Sequence, residues 1–129
     1  MSRVMIVDDD YSILKYCEAT LANSGHEIVI FSDPQKALET LANHNVDLLI
    51  LDILMPQMDG FAFLQEAKHK ELHLPPVIVL TSQQDDIDKM KSFAFGADHF
   101  LQKATSTPKD VLEKVDSLLK QKALQNMPR

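Results

Sequence analysis

Between Val46 and Gly60 the chain reads VDLLILDILMPQMDG, an apolar run that ends in an acid and is followed by two chain breakers, Pro56 and Gly60. Five of the six side chains from Val46 to Leu51 are apolar, too continuous a run for a strand with one wet face. The run predicts a strand buried on both faces, at the centre of a parallel sheet. Asp52 closes it at the place where open α/β sheets bind their ligands. Taken alone, the acid reads equally as a functional carboxylate or as a polar residue that ends a strand in water, so the other strand ends must decide.

The rest of the chain repeats this unit. Arg3 to Val7 is a short apolar strand running into Asp8, Asp9 and Asp10. Ile13, Leu14, Cys17 and Leu21 then follow helical spacing as far as Gly25, placed as a left-handed cap. Glu27 to Phe31 is a second strand, and Ser32-Asp33-Pro34 starts a helix with a buried stripe of Ala37, Leu38, Leu41 and Ala42. After the central strand, Phe61, Leu64 and Ala67 space a third helix that ends before Pro75-Pro76. Val77 to Leu80 is a fourth strand closed by Thr81 and Ser82. Asp85, Asp86 and Asp88 set negative charge on the first turn of a fourth helix, whose apolar side is Ile87, Met90, Phe93 and Ala94. Gly96 stops it, Asp98 to Gln102 is a fifth strand ending at Lys103, and Thr107-Pro108-Lys109-Asp110 has the form of a capping box. Val111, Leu112, Val115, Leu118 and Leu119 stripe the last helix.

Five strands alternating with five helices, with no repeat or low-complexity segment, predict an α/β, flavodoxin-like (βα)5 fold. Its five-stranded parallel sheet takes the order 2-1-3-4-5, with helices on both faces. The 129 residues fit one domain, residues 1–124, with 125–129 as a tail or the start of a linker; a second, output domain has no room. A formal charge of −6 disfavours non-specific contact with nucleic acid or anionic membrane. One cysteine excludes an internal disulfide, and no apolar run has the length of a signal peptide or membrane span, which points to the cytoplasm.

In a parallel sheet, Asp8 with Asp9, Asp52, Thr81 with Ser82, and Lys103 all lie on one edge. Alone, each is more simply read as a solvated acid, a strand-end hydroxyl or a surface lysine. Together they form a matched set for phosphoryl transfer to a carboxylate. Asp52 is the nucleophile, since carboxylates form acyl phosphates. Its acidic neighbours would repel a phosphoryl group unless a cation intervened, and clustered carboxylates suit Mg2+. Asp9 and Asp52 would bind the ion directly with a main-chain carbonyl near Leu54, and Asp8 would act through a water; Mn2+ is able to substitute. Lys103 supplies charge for the equatorial oxygens, the Thr81 hydroxyl donates to one of them, and Ser82 is small enough to leave space.

The segments VMIVDDD, LLILDILMPQMDG, VIVLTS and GADHFLQK, in this order, resemble the receiver domain of a two-component response regulator. The resemblance spans essentially the whole chain. It implies a phospho-aspartate at Asp52 fed by the phosphohistidine of a sensor histidine kinase or a phosphotransfer protein. It further implies Mg2+ held through Asp8, Asp9 and Asp52, a phosphate-sensing hydroxyl at Thr81, the lysine at Lys103, and a switch aromatic at Phe100. Leu54 and Gln83 resemble positions that tune dephosphorylation. Such a protein is a phosphoacceptor rather than an enzyme, with at most self-catalysed phosphorylation and dephosphorylation. It acts as a monomer or a weak, phosphorylation-dependent homodimer.

Two positions depart from the family. Ala104 stands where proline usually follows the lysine in a cis peptide. A non-proline cis bond costs about 3 kcal/mol, so either the bond is trans and the loop differs or strain is retained. Phe100 replaces the common tyrosine, so a switch there rests on burial alone. A signal would leave when Thr81 is drawn toward phosphate and Phe100 fills the vacated space, shifting the face of helix four, strand five and helix five toward a protein partner. His26, His44, His69, His73 and His99 show no ligand spacing, and Cys17 reads as a small core residue. Phe61, Phe63, Phe93 and Phe95 read as core or partner surface. The competing readings are a pseudo-receiver scaffold that acts without phosphorylation, a flavin carrier and an aspartyl phosphatase. Acids after strand one argue against the flavin, and Leu54 stands where the phosphatase needs its second acid.

Overall fold

The computed structural model describes residues 2–56, 58–82, 86–103 and 105–125, without the side chains of 86–88, 108, 122, 123 and 125. Its elements alternate as β1 (Arg3–Val7), α1 (Tyr11–Ala22), β2 (Glu27–Phe31), α2 (Pro34–Asn43), β3 (Leu48–Leu51), α3 (Gly60–His69), β4 (Val77–Thr81), α4 (Asp86–Ala94), β5 (His99–Gln102) and α5 (Pro108–Gln125). The strands form one five-stranded sheet in the order β2-β1-β3-β4-β5, and every pairing is parallel. Alternation along the strands divides the core in two. Met5, Val7, Leu49, Leu51, Val77 and Val79 pack with Ala37 and Leu38 of α2 and with Phe63, Leu64 and Ala67 of α3. Val4, Ile6, Leu48, Ile50, Ile78 and Leu80 pack on the other face with Leu14, Cys17 and Leu21 of α1 and with Val111, Val115 and Leu118 of α5. Because β3 is fully buried along its whole length, both layers depend on it.

The helix starts follow local chemistry. Asp10 accepts from the Ser12 and Ile13 amides, Asp33 from Gln35 ahead of Pro34 at the first helical position, and Asp59 from Ala62. Each satisfies an amide that has no partner within its own helix. The capping box of α5 closes reciprocally, with the Thr107 amide donating to Asp110 Oδ2 at 2.9 Å and the Asp110 amide to Thr107 Oγ1 at 3.1 Å. At the far side of the molecule, His26 Nε2 lies 2.9 Å from Asp116 Oδ1, joining the turn before β2 to α5.

Several elements differ from expectation. β3 begins at Leu48 rather than Val46, because its partners start there: Val4 of β1 is opposite Leu48, and the Asp47 carboxylate turns back to accept from the Arg3 amide at 2.8 Å. β5 begins at His99 rather than Asp98, whose side chain accepts from the Val77 amide at 2.7 Å. Asn23 caps α1; Gly25 comes two residues later, in the left-handed region at φ +87°. Ala42 is exposed, so the α2 stripe is Pro34, Ala37 and Leu38 with half-buried Leu41. Of the apolar side expected for α4, the described residues face solvent: Met90 is 72% and Phe93 43% exposed and Ala94 is exposed too, whereas Ser92, across the helix from Met90, is buried. The side chains of Asp86, Ile87 and Asp88, and Asp85 altogether, lie outside the described residues.

Leu49 has no exposed surface and touches the α2–α3 layer from the central strand. Leu49→Ala is expected to lower the unfolding free energy by about 2–5 kcal/mol in urea titration. A loss below about 1 kcal/mol would contradict a load shared across β3.

Candidate functional site

Parallel pairing brings the C-terminal ends of β1, β3, β4 and β5 to one edge of the sheet. Backbone hydrogen bonds carry the ladder past the strands. The Asp8 amide donates to the Phe31 carbonyl (3.1 Å), Asp52 to Val7 (2.9 Å) and Lys103 to Thr81 (2.8 Å). Each functional residue is thus the first beyond a strand, with its backbone still fixed by the neighbouring strand.

The side chains converge. Lys103 Nζ lies 2.7 Å from Asp8 Oδ2 and 3.3 Å from Asp52 Oδ2. Carboxylate oxygens of Asp8, Asp9 and Asp52 all lie within 4.8 Å of one another. Asp8 and Asp52 are almost wholly buried, at 3% and 4% exposure, whereas Asp9 is open to solvent. The other oxygens of the buried pair are also engaged: Asp8 Oδ1 accepts from the Asp10 amide and Asp52 Oδ1 from the Leu54 amide, both at 3.0 Å.

Burial pushes the Asp8 carboxyl above its ordinary value; the Lys103 and Asp10 hydrogen bonds pull the other way, and the Asp52 charge adds to the rise. At Lys103 burial pulls down, but the hydrogen bond to Asp8 and the charges of Asp52 and Asp8 outweigh it, so the ammonium is held above its ordinary value. It therefore stays charged at neutral pH. Burial, with the Asp8 charge, also raises the Cys17 thiol, consistent with an unreactive core residue.

The donor set fits a hard divalent cation. Three carboxylates share the site and one ammonium offsets a single charge, so oxygen ligands remain with negative charge still to be neutralised. Thr81 is fully buried at the end of β4 and Ser82 is exposed. Leu54 is 43% exposed beside Asp52. Phe100, opposite Val79, is half-buried against the α2–α3 core layer, away from the acids' own contacts. Gln83 and Ala104, and with Ala104 the geometry of its peptide bond to Lys103, lie outside the described residues.

Two features escaped the sequence reading. The acids of Asp8 to Asp10 do not act alike, since Asp10 caps α1 while Asp8 is buried against Lys103. Gly60 is more than a chain breaker. A Cβ there would meet Ile53 Cα and Cγ2 at 2.7 Å and the Asp52 carbonyl at 2.8 Å, so α3 seats directly on the peptide that follows Asp52. The signal available in the sequence was the Asp59-Gly60 pair, a cap followed by a residue that permits close approach.

The model for the response regulator receiver domain matches residues 4–116. The chain belongs to that family. The receiver is 29% identical over 118 residues to the alkaline phosphatase synthesis transcriptional regulatory protein PhoP of Bacillus subtilis, covering 92% of this chain and 48% of that protein. It is 34% identical over 118 residues to a protein of Cyanophora paradoxa named "Probable transcriptional regulator ycf27", covering 92% and 48%. The chain thus spans about half the length of the curated relatives it matches. The crystal structure of a CheY-like response regulator receiver domain protein from Methanospirillum hungatei JF-1 superposes with a TM-score of 0.88 at 29% identity, covering 98% of this chain and 99% of that one.

Since folding raises the Asp8 pKa, its contribution to stability is fully present below the unfolded carboxylate value and is lost as pH rises through the folded one. In metal-free buffer with chelator, Asp8→Asn is expected to be more stable than wild type near neutral pH. The advantage should shrink as the pH falls through the carboxylate range. Thermal unfolding from pH 7 down to 3 measures this, and a wild type that is the more stable at pH 7 would overturn it.

Proposed function

We propose that the receiver accepts a phosphoryl group on Asp52 from the phosphohistidine of a sensor histidine kinase or a phosphotransfer protein. The observation that carries this is the convergence of Asp8, Asp9, Asp52 and Lys103, from three separate strand ends, around one nearly buried carboxylate. One oxygen of Asp52 attacks phosphorus, the P–N bond of the donor breaks, and its electron pair leaves on the imidazole nitrogen. Lys103, already 3.3 Å from Asp52, turns its charge to the phosphoryl oxygens. Thr81, buried at the end of the neighbouring strand, offers its hydroxyl to one of them, and Ser82, exposed and small, leaves space beside it. Asp8, Asp9, Asp52 and the Leu54 carbonyl would hold Mg2+, or Mn2+ in its place, which supplies charge neutralisation between carboxylates and phosphoryl group.

The module signals rather than turns over a substrate. Drawing Thr81 toward phosphate frees space for Phe100, and the α4, β5 and α5 face, with Met90 and Phe93 already exposed, changes its fit to a protein partner. The relatives' names are those of transcriptional regulators about twice as long, so the output lies in what this face contacts. No described helix is long and apolar enough to cross a membrane. Leu54 offers attacking water no polar group, which favours a long-lived phosphoryl state; Gln83 is the other residue expected to tune it.

Incubation with acetyl phosphate and Mg2+ is expected to add one phosphoryl mass to the intact protein and none to Asp52→Asn. A wild type that gains no Asp52-dependent mass would instead support a scaffold working without phosphorylation. Mg2+ at about a hundred times its Kd should stabilise the wild type by about 2.7 kcal/mol. Asp9→Asn should lose most of that gain in thermal unfolding, and an equal gain in both proteins would remove Asp9 from the metal site.

A further inference from the structure

Resting on that reading, we propose that Lys91 is a positioning residue that ties α4 to the loop carrying Asp52, through the first turn of α3. The link begins at Asp52. Its Oδ1 holds the Leu54 amide and its Oδ2 faces Lys103, so placing a phosphoryl group on either oxygen must alter one of these contacts and disturb the loop. That loop presses on Gly60. The Gly60 amide donates to the Ile53 carbonyl at 3.0 Å, and the space where a side chain would begin is filled by Ile53 and the Asp52 carbonyl. With no slack at this contact, displacement of the Asp52–Ile53 peptide passes to the head of α3.

The next residue takes it onward. Phe61, 9% exposed, lies 5.9 Å from Phe95 with the rings tilted by 43°. Lys91 Nζ stands 4.5 Å from the centroid of Phe61 and 5.9 Å from that of Phe95, both within the reach of a cation–π contact. The ammonium of Lys91 thus lies within reach of both rings. Phe61 belongs to the head of α3 and Lys91 to α4, while Met90 and Phe93 beside it face solvent. Lys91 is itself exposed, so the rings hold one flank of α4, beside the open side that carries Met90 and Phe93. This route runs through β3, α3 and α4, apart from the Thr81 and Phe100 route through β4 and β5.

The test compares wild type, Lys91→Met, which keeps most of the aliphatic stem, and Lys91→Arg, which keeps a cation able to stack on a ring. Amide hydrogen exchange is followed with and without beryllofluoride and Mg2+, alongside the acetyl phosphate mass assay. The wild type should respond at residues 91–96 and at 99–102. In Lys91→Met the response at 91–96 should fall by about two- to fivefold, the size of a cation–π contact of this class, while that at 99–102 is kept. Lys91→Arg should restore it. A Lys91→Met response equal to wild type at 91–96, or a Lys91→Arg protein that behaves like Lys91→Met, overturns the role of Lys91. A wild type that never forms the Asp52 adduct overturns the functional reading and the link together, and the mass assay tells that case from the others.

Discussion

Two carboxylates on adjacent strands, Asp8 and Asp52, are held nearly out of water with one ammonium, that of Lys103, between them. Much else in the receiver follows from the cost of that arrangement. Removing charge from water is unfavourable unless each group is paired and its remaining atoms are hydrogen-bonded. Here every carboxylate oxygen of the pair has a partner: Lys103 on one side, and the Asp10 and Leu54 amides on the other. With Asp9 included the site still carries more negative than positive charge, so it is poised to take up a cation and, with it, an anionic group.

Holding that cluster requires rigid supports, and the parallel sheet provides them. The ladder continues one residue beyond β1, β3 and β5, so Asp8, Asp52 and Lys103 leave a fixed backbone. Below them β3 is buried in both layers, and above them Gly60 lets α3 close on the Asp52–Ile53 peptide. On α4 the large apolar side chains Met90 and Phe93 are open to solvent. Burial is thus dense beneath the acids, while apolar surface stays open on α4.

Most of the architecture was legible in the residues because its signals are local. Apolar runs bounded by breakers marked the five strands, and Asp33-Pro34 and Thr107-Asp110 marked helix starts that the structure realises bond for bond. The misplaced ends, at Val46 and Asp98, have one cause: a strand starts where its neighbour offers a partner, and the acids Asp47 and Asp98 instead turn to amides of the adjoining strand. For α4 the periodicity was read correctly as one apolar side. Which way that side points is not written in a period, and of the two rings near Lys91 that of Phe61 comes from another part of the chain.

By itself the sequence determined the βα alternation, the parallel sheet and the set of residues at its C-terminal edge, since side-chain period and turn chemistry act over a few residues. Only the tertiary structure decided how those residues divide the work. It separated Asp8 from Asp10, set Lys103 against an acid 95 positions away, and brought Gly60 within touching distance of the Asp52 peptide. Those are distances between segments remote in the chain, fixed by how sheet and helices pack rather than by any local pattern.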